Sequence, residues 1–243
     1  MDTRTLARAD PVGNPRTLAS QAQELLRQDI LSGLLAPGQR LRTKELQARY
    51  GLGLSPLRES LQRLSAEGMV VNDEQRGFAV ASVSAAELED LTLARSSLEA
   101  IMLPMAVRLG KTDWEAEIVA AFHRLSRTPL PHDPAAIDDA RLWELRHRSF
   151  HHALVAGCQS PWLLRLHGQL VDQSERYRKI RILHHQQSKA QVRNVNAEHQ
   201  ALMDAVLKRD AKRAVELMTR HLVATSKATI RLMSLEPHQE NQA

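Results

Sequence analysis

Between residues 33 and 77 the chain never runs far without a breaker. Gly33, Pro37-Gly38, Gly51, Gly53, Pro56, Gly68 and Gly77 punctuate it, so every helix in this stretch must be short. Ahead of the first breaker, Leu18, Ala22, Leu25, Leu26 and Ile30 recur at helical spacing. A second helix is expected from Lys44 to about Tyr50, capped by Thr43. A third starts at Ser55 as its cap, with Pro56 at the first helical position, where a missing N–H costs nothing. Leu57, Leu61 and Leu64 form its inward stripe. After Gly68 the period changes. "MVVNDEQRGFAVAS" holds two apolar runs around a polar turn from Asn72 to Gly77, which predicts a β-hairpin. Short helix, tight turn, short helix and hairpin is the layout of a helix-turn-helix with a wing.

Beyond Ser84 the spacing is helical throughout, and no β-branched alternation returns. Ser84 with Glu87 forms a capping-box pattern. Six helices are expected: Ala85 to Leu109 across Pro104, Asp113 to Ser126, Ala135 to Ala156, Pro161 to His184, Lys189 to Lys208, and Ala211 to Met233. The predicted fold class is therefore mainly α: a winged helix-turn-helix over residues 18–82 and an all-helical bundle over residues 85–233. Residues 1–17 read as a loose arm and 234–243 as a loose tail. Hydrophobic residues make up 43% of the 243, enough for a sizeable core. No segment approaches the ~20 apolar residues of a membrane span, so no membrane partner is expected and the cytoplasm is the default. Cys158 is the one cysteine, which rules out an internal disulfide.

A helix laid in a major groove needs a buried face to hold it and an outer face of short polar or basic groups. The third helix offers both, with Ser55, Arg58 and Gln62 opposite its leucines. Lys44 opens the preceding helix, where a cation meets phosphate, and Arg76 and Gly77 sit at the hairpin tip. The alternative is a set of solvated charges on a small helical domain. Up to residue 80 there are 11 Lys and Arg against 9 Asp and Glu, a net of +2. A DNA surface here must come from the placement of charge, not its amount.

All 11 histidines lie after residue 120. His147 and His151 are four apart and share a helix face, while His199 and His221 fall on two later helices. A bundle brings such groups together in its interior, and neutral imidazole suits zinc, nickel, iron or copper. Spacing alone leaves open that these are surface histidines or hydrogen-bonded core ones.

The segments "ILSGLLAPGQRLRTKELQARYGLGLSPLRESLQRLSAEGMV" and "RGFAV" resemble the DNA-binding domain of GntR-type transcriptional regulators, over about residues 18–82. "RSSLEAIMLPMA", "RHRSFHHALVAGC" and "AEHQALMDAVLKRDAKRAVELMTRHL", in that order, resemble the FCD effector-binding domain, over about residues 85–233. The resemblance implies a homodimer on double-stranded operator DNA, with Lys44, Ser55, Arg58 and Gly77 at the contact positions. Where the family commonly has Ser-Arg, this chain has Gly53-Leu54, so one base-reading arginine of the family is absent. The resemblance also implies a divalent metal. His151, His199 and His221 match three of the family's ligands, and His147 stands where the family has Asp. A four-histidine set carries one negative charge less, which points to zinc or nickel more than manganese.

The same resemblance implies a small carboxylate effector. Arg95 matches the arginine of the family's "R..lE..A" segment, which faces the effector cavity. Arg176 and Tyr177 lie in "SERYRKIR", which by itself reads equally well as a charged outer face. That "RYR" segment is similar to the branch that includes regulators of glutarate and gamma-aminobutyrate catabolism, which makes glutarate the leading effector. An enzyme is not expected. The chain has no His-Glu-x-x-His, no Gly-x-Ser-x-Gly and no glycine-rich nucleotide loop after a strand. The remaining alternative is a metal- or carboxylate-binding helical protein without specific DNA binding.

Overall fold

The computed structural model describes residues 17–73, 75–130, 137–183 and 193–234, with side chains within 17–73, 75–130, 138–177 and 193–234. The expected N-terminal arm before Thr17 and the tail after Ser234 lie outside the described residues. So do the predicted helix ends at Ala135, His184 and Lys189. Among the described residues the chain forms two compact units, residues 17–28 with 39–80 and residues 29–38 with 81–234.

The first unit is built on helices α1 (Leu18–Leu31), α2 (Thr43–Tyr50) and α3 (Leu54–Ala66) and on strands β1 (Val70–Asp73) and β2 (Gly77–Val80). Ala22 and Leu26 of α1, Leu46 of α2, and Leu57, Leu61 and Leu64 of α3 are buried together with Met69, Val70 and Val80. Leu18 and Leu25 kept the helical spacing in the sequence but are exposed. The foot of α3 is tied to α1 through Glu67, which accepts from Gln23 at 2.7 Å and pairs with Arg27. Gly51 ends α2 at φ 66°, a left-handed position that favours glycine.

Two helix starts differ from the sequence expectation. Arg42, not Thr43, holds the cap position of α2, and Thr43 is its first helical residue. Gly53, not Ser55, caps α3, which puts Pro56 at the third helical position. Proline is tolerated there because the N–H groups of the first turn have no intrahelical acceptor.

The strands pair antiparallel with Val70 opposite Val80 and Asp73 opposite Gly77. Arg40 bridges to Ala79 and extends the wing by one more short segment. At the tip, the Asp73 carboxylate accepts from the backbone N–H of Gln75 at 2.9 Å and of Arg76 at 3.2 Å.

The second unit contains six helices among the described residues: α4 (Ala85–Leu109), α5 (Thr112–Ser126), α6 (Ile137–Ala156), α7 (Pro161–Leu183), α8 (Val195–Leu207) and α9 (Ala211–Met233). Ser84 caps α4 by accepting from the Glu87 N–H at 3.1 Å. Glu87 does not complete the capping box; its carboxylate accepts from the Tyr177 hydroxyl instead. α4 continues through Pro104. α9 carries one buried stripe, Ala214, Leu217, Met218, His221, Leu222, Ser226, Thr229 and Leu232, and lies along α4, α7 and α8. Met102, Leu103, Ile118, Leu125, Phe150, Leu154, Leu202, Val206 and Met218 form the centre of the core, with Cys158 buried at its edge. No helix among the described residues is long and apolar enough to cross a membrane.

Trp114 sits over two glycines and donates its indole N–H to the Ala153 carbonyl at 2.7 Å. A Cβ on Gly157 would lie 2.8 Å from the ring, and one on Gly110 only 2.0 Å. Gly110 has φ −65°, so any residue could adopt its backbone and the constraint is steric. Gly110→Ala is expected to cost about 1–3 kcal/mol, measured by chemical or thermal unfolding. An unchanged midpoint would show that the ring moves aside freely.

Candidate metal centre and nucleic-acid interface

α6 carries His147 and His151 one turn apart on its inner face, α8 contributes His199 and α9 His221. All four are buried, none more than 5% exposed. Each offers one ring nitrogen, and the four nitrogens lie within 4.8 Å of one another. His151 Nε2 and His199 Nε2 are 3.4 Å apart. That is about the edge of a tetrahedron with metal–nitrogen bonds of roughly 2.1 Å. The rings are held from behind: His147 stacks on Trp143 with centroids 4.6 Å apart, and Phe150 meets His151 and His199 edge-on. Four buried imidazoles with nitrogens this close together fit a borderline divalent cation such as zinc or nickel. Burying them without a shared partner would carry a desolvation cost.

A cavity adjoins this cluster, and His147 and His221 form part of its wall. Arg95, Tyr177, Ser174 and Thr229 also line it. Arg95 is 3% exposed, and its Nε donates to Glu99 Oε1 at 2.7 Å. His167 Nε2 lies 3.2 Å from the same oxygen. Burial pushes the Glu99 carboxyl up, but the Arg95 charge and the His167 contact outweigh it and hold the pKa at about 2. One terminal nitrogen of Arg95 is buried without a hydrogen-bond partner, so its fork retains donor capacity for an anion.

Of the three residues expected at the effector site, Arg95 and Tyr177 line the cavity and Arg176 faces elsewhere. Arg176 donates to the carbonyls of Ala81 at 2.7 Å and Ser82 at 2.5 Å, and to Gln173 at 2.7 Å. It braces the chain where it enters α4. Burial and the bond to Glu87 push the Tyr177 phenol up and keep it protonated.

Several participants were missed by the sequence reading. Glu99 and His167 lie behind Arg95. Glu198 and Arg193 lie against the outer edge of His221. Glu99 was within reach, since it follows Arg95 at helical i,i+4 spacing, and Glu198 is the neighbour of a ligand candidate. His167 carries no local signal.

In the first unit, Ser55, Arg58 and Gln62 are all exposed and fall at i, i+3 and i+7 on α3, one face opposite the buried leucines. Lys44 is exposed in the first turn of α2, and Arg76 and Gly77 are exposed at the wing tip. Neighbouring arginines are neutralised, Arg27 by Glu67, Arg42 by Glu45 and Arg63 by Glu59. Lys44 and Arg58 form no ion pair among the described residues, so a net of only +2 still leaves uncompensated cations on this face.

Residues 18–80 match the bacterial regulatory proteins of the gntR family, and residues 90–224 match the FCD domain. The HTH-type transcriptional repressor GlaR of Escherichia coli (strain K12) is 40% identical over 198 residues, covering 82% of this chain and 89% of that protein. The uncharacterized HTH-type transcriptional regulator BphR of Paraburkholderia xenovorans (strain LB400) is 38% identical over 216 residues, covering 87% and 85%. Among solved structures, E. coli McbR/YncC superposes with a TM-score of 0.72 at 19% identity, over 89% of this chain and 99% of that one. A transcriptional regulator from Rhodococcus sp. RHA1 gives 0.68 at 17% identity, over 90% and 99%. At such identities these structures support the fold alone.

Glu99 and Glu198 both have carboxyl pKa values lowered from 4.5 to about 2. For Glu198, burial again raises the value and the bonds from His221 and Arg193 outweigh it. A depressed folded-state pKa contributes stability that is complete above the unfolded value and lost as pH falls toward the folded one. Urea midpoints are therefore expected to fall steadily from about pH 4.5 toward pH 2. A flat midpoint across that window would contradict the two charged pairings.

Proposed function

The chain belongs to the gntR family of bacterial regulatory proteins, and we propose that it is a homodimeric, cytoplasmic repressor released from its operator by a small carboxylate bound beside a divalent metal. It is a transcriptional regulator and not an enzyme. The observation that carries the effector half is the convergence of four buried imidazoles beside a cavity walled by Arg95. That the E. coli relative is named a repressor supports the direction of control.

On the DNA side, each α3 reads only a few base pairs, and two-fold operators match two-fold proteins. Ser55, Arg58 and Gln62 would enter the major groove. Lys44, Arg76 and Gly77 would meet phosphate and sugar and set the register. With Gly53-Leu54 ahead of Ser55, base reading rests on Arg58 and Gln62.

On the effector side, His147, His151, His199 and His221 would hold zinc or nickel. The ion, when bound, supplies a Lewis-acidic centre that attracts a carboxylate. Arg95, oriented by Glu99, would take a second carboxylate across the cavity through its remaining donors. A dicarboxylate uses both ends, so glutarate is the leading effector. Tyr177, protonated and tied to Glu87 and Ser84, connects the cavity wall to the start of α4. Release follows only if the effector favours a dimer geometry with misplaced recognition helices, since a ligand that binds both geometries equally shifts nothing.

Three measurements test this reading. Arg58→Ala is expected to cost roughly 1–3 kcal/mol of operator affinity, concentrated at one half-site position. Lys44→Ala should weaken specific and random DNA alike and reduce the salt slope by about one per half-site. Unchanged isotherms for both folded variants would leave a metal- or carboxylate-binding protein without specific DNA binding. Protein purified without chelator or nickel resin should carry about one ion per chain, and removing it should lower the thermal midpoint by mass action. Glutarate should stabilise the metal-loaded protein more than butyrate does and lower its operator affinity. If it does neither while another carboxylate does both, the site stands and the ligand changes.

A further inference from the structure

One of the four clustered histidines is held by two groups with opposite demands. His221 Nδ1 lies 2.8 Å from Glu198 Oε2 and 3.1 Å from a terminal nitrogen of Arg193. A carboxylate only accepts, so Glu198 requires a proton on Nδ1 and leaves Nε2 as the coordinating nitrogen. A guanidinium only donates, so Arg193 requires a bare Nδ1. That would place the proton on Nε2 and remove the ring as a ligand. We propose that Glu198 is a positioning residue that holds His221 in its metal-binding tautomer, and that it does so by occupying Arg193, which would otherwise impose the opposite one. This rests on the metal-centre reading above.

The contacts around Arg193 bear this out. Its Nε donates to Glu198 Oε1 at 2.5 Å, and its terminal nitrogen donates to Oε2. Its remaining donors reach Thr225 Oγ1 at 2.9 Å and the His221 carbonyl at 3.0 Å. The fork is satisfied without the ring. Glu198 lies in the first turn of α8, where the helix dipole favours a negative charge. It is also next to His199. A step of one residue turns about 100° around the helix, which lets α8 send one side chain into the cluster and the next to the outer edge of His221. The arrangement has the form of a carboxylate–histidine–metal triad. It also brings an anion to a ligand set that has none of its own.

The test uses the full chain, with zinc affinity from chelator competition and cobalt(II) as a spectroscopic probe. Glu198→Gln keeps the shape but loses the charge, and Glu198→Ala loses both. Both are expected to bind zinc roughly 10–100-fold more weakly. The cobalt d–d bands should change in shape and intensity, and each substitution should lower the thermal midpoint of the zinc-loaded chain more than that of the metal-free chain. The diagnostic variant is Glu198→Gln combined with Arg193→Gln. With the competing donor gone, zinc affinity should recover above that of Glu198→Gln alone. A purely structural role for the ion pair would make the second substitution neutral or worse. Glu198→Gln binding zinc within twofold of the native chain would overturn the assignment, as would a double variant no tighter than the single one. A native chain that takes up neither zinc nor cobalt removes the metal centre itself.

Discussion

Four imidazoles sharing one buried volume are the constraint on which the second unit is organised. They come from three helices, α6, α8 and α9, and each brings a polar ring into a core otherwise built of leucine, methionine and phenylalanine. Without a common partner such a cluster is a liability. A divalent ion accepting all four lone pairs would turn it into a cross-link between elements far apart in sequence. The groups behind the rings fit that role, with Trp143 against His147, Phe150 against His151 and His199, and Glu198 against His221.

Charge is managed differently in the two units. In the first, Arg27, Arg42 and Arg63 are each paired with a glutamate, while Lys44 and Arg58 form no ion pair among the described residues. Selective neutralisation gives a modestly basic domain a directed cationic face. In the second, a buried arginine, carboxylate and histidine stand together at Arg95, Glu99 and His167. A buried ion pair contributes little net stability, because desolvation offsets attraction. Its value here is orientation: Glu99 fixes the Nε side of the guanidinium, while one terminal nitrogen keeps no hydrogen-bond partner.

How much of this was legible in the sequence depended on how local each cause was. The start of α4 was legible at Ser84, whose hydroxyl caps it, because a cap acts within a few residues of itself. α3 starts two residues earlier than the sequence predicts because Gly53 caps it through backbone conformation, without the hydroxyl on which the sequence rule depends. The His147–His151 pair was visible from its spacing, while His199 and His221 were joined to it by the family resemblance, since their convergence arises only in the folded bundle and no local pattern encodes it. Arg176 shows the limit from the other side. Its partners are the carbonyls of Ala81 and Ser82, more than ninety residues away, and a sequence cannot distinguish that brace from an effector clamp. His167 is buried on α7 with no helical partner in register, so nothing marked it before the fold did.

The most direct measurement is X-ray absorption at the metal edge of protein purified without added metal or chelator, native and His147→Ala. The account predicts a first shell of imidazole nitrogens at about 2.0–2.1 Å, with multiple scattering from four rings in the native chain and three in the variant. An oxygen-dominated shell that does not change with His147→Ala, or no bound metal in either protein, would contradict it.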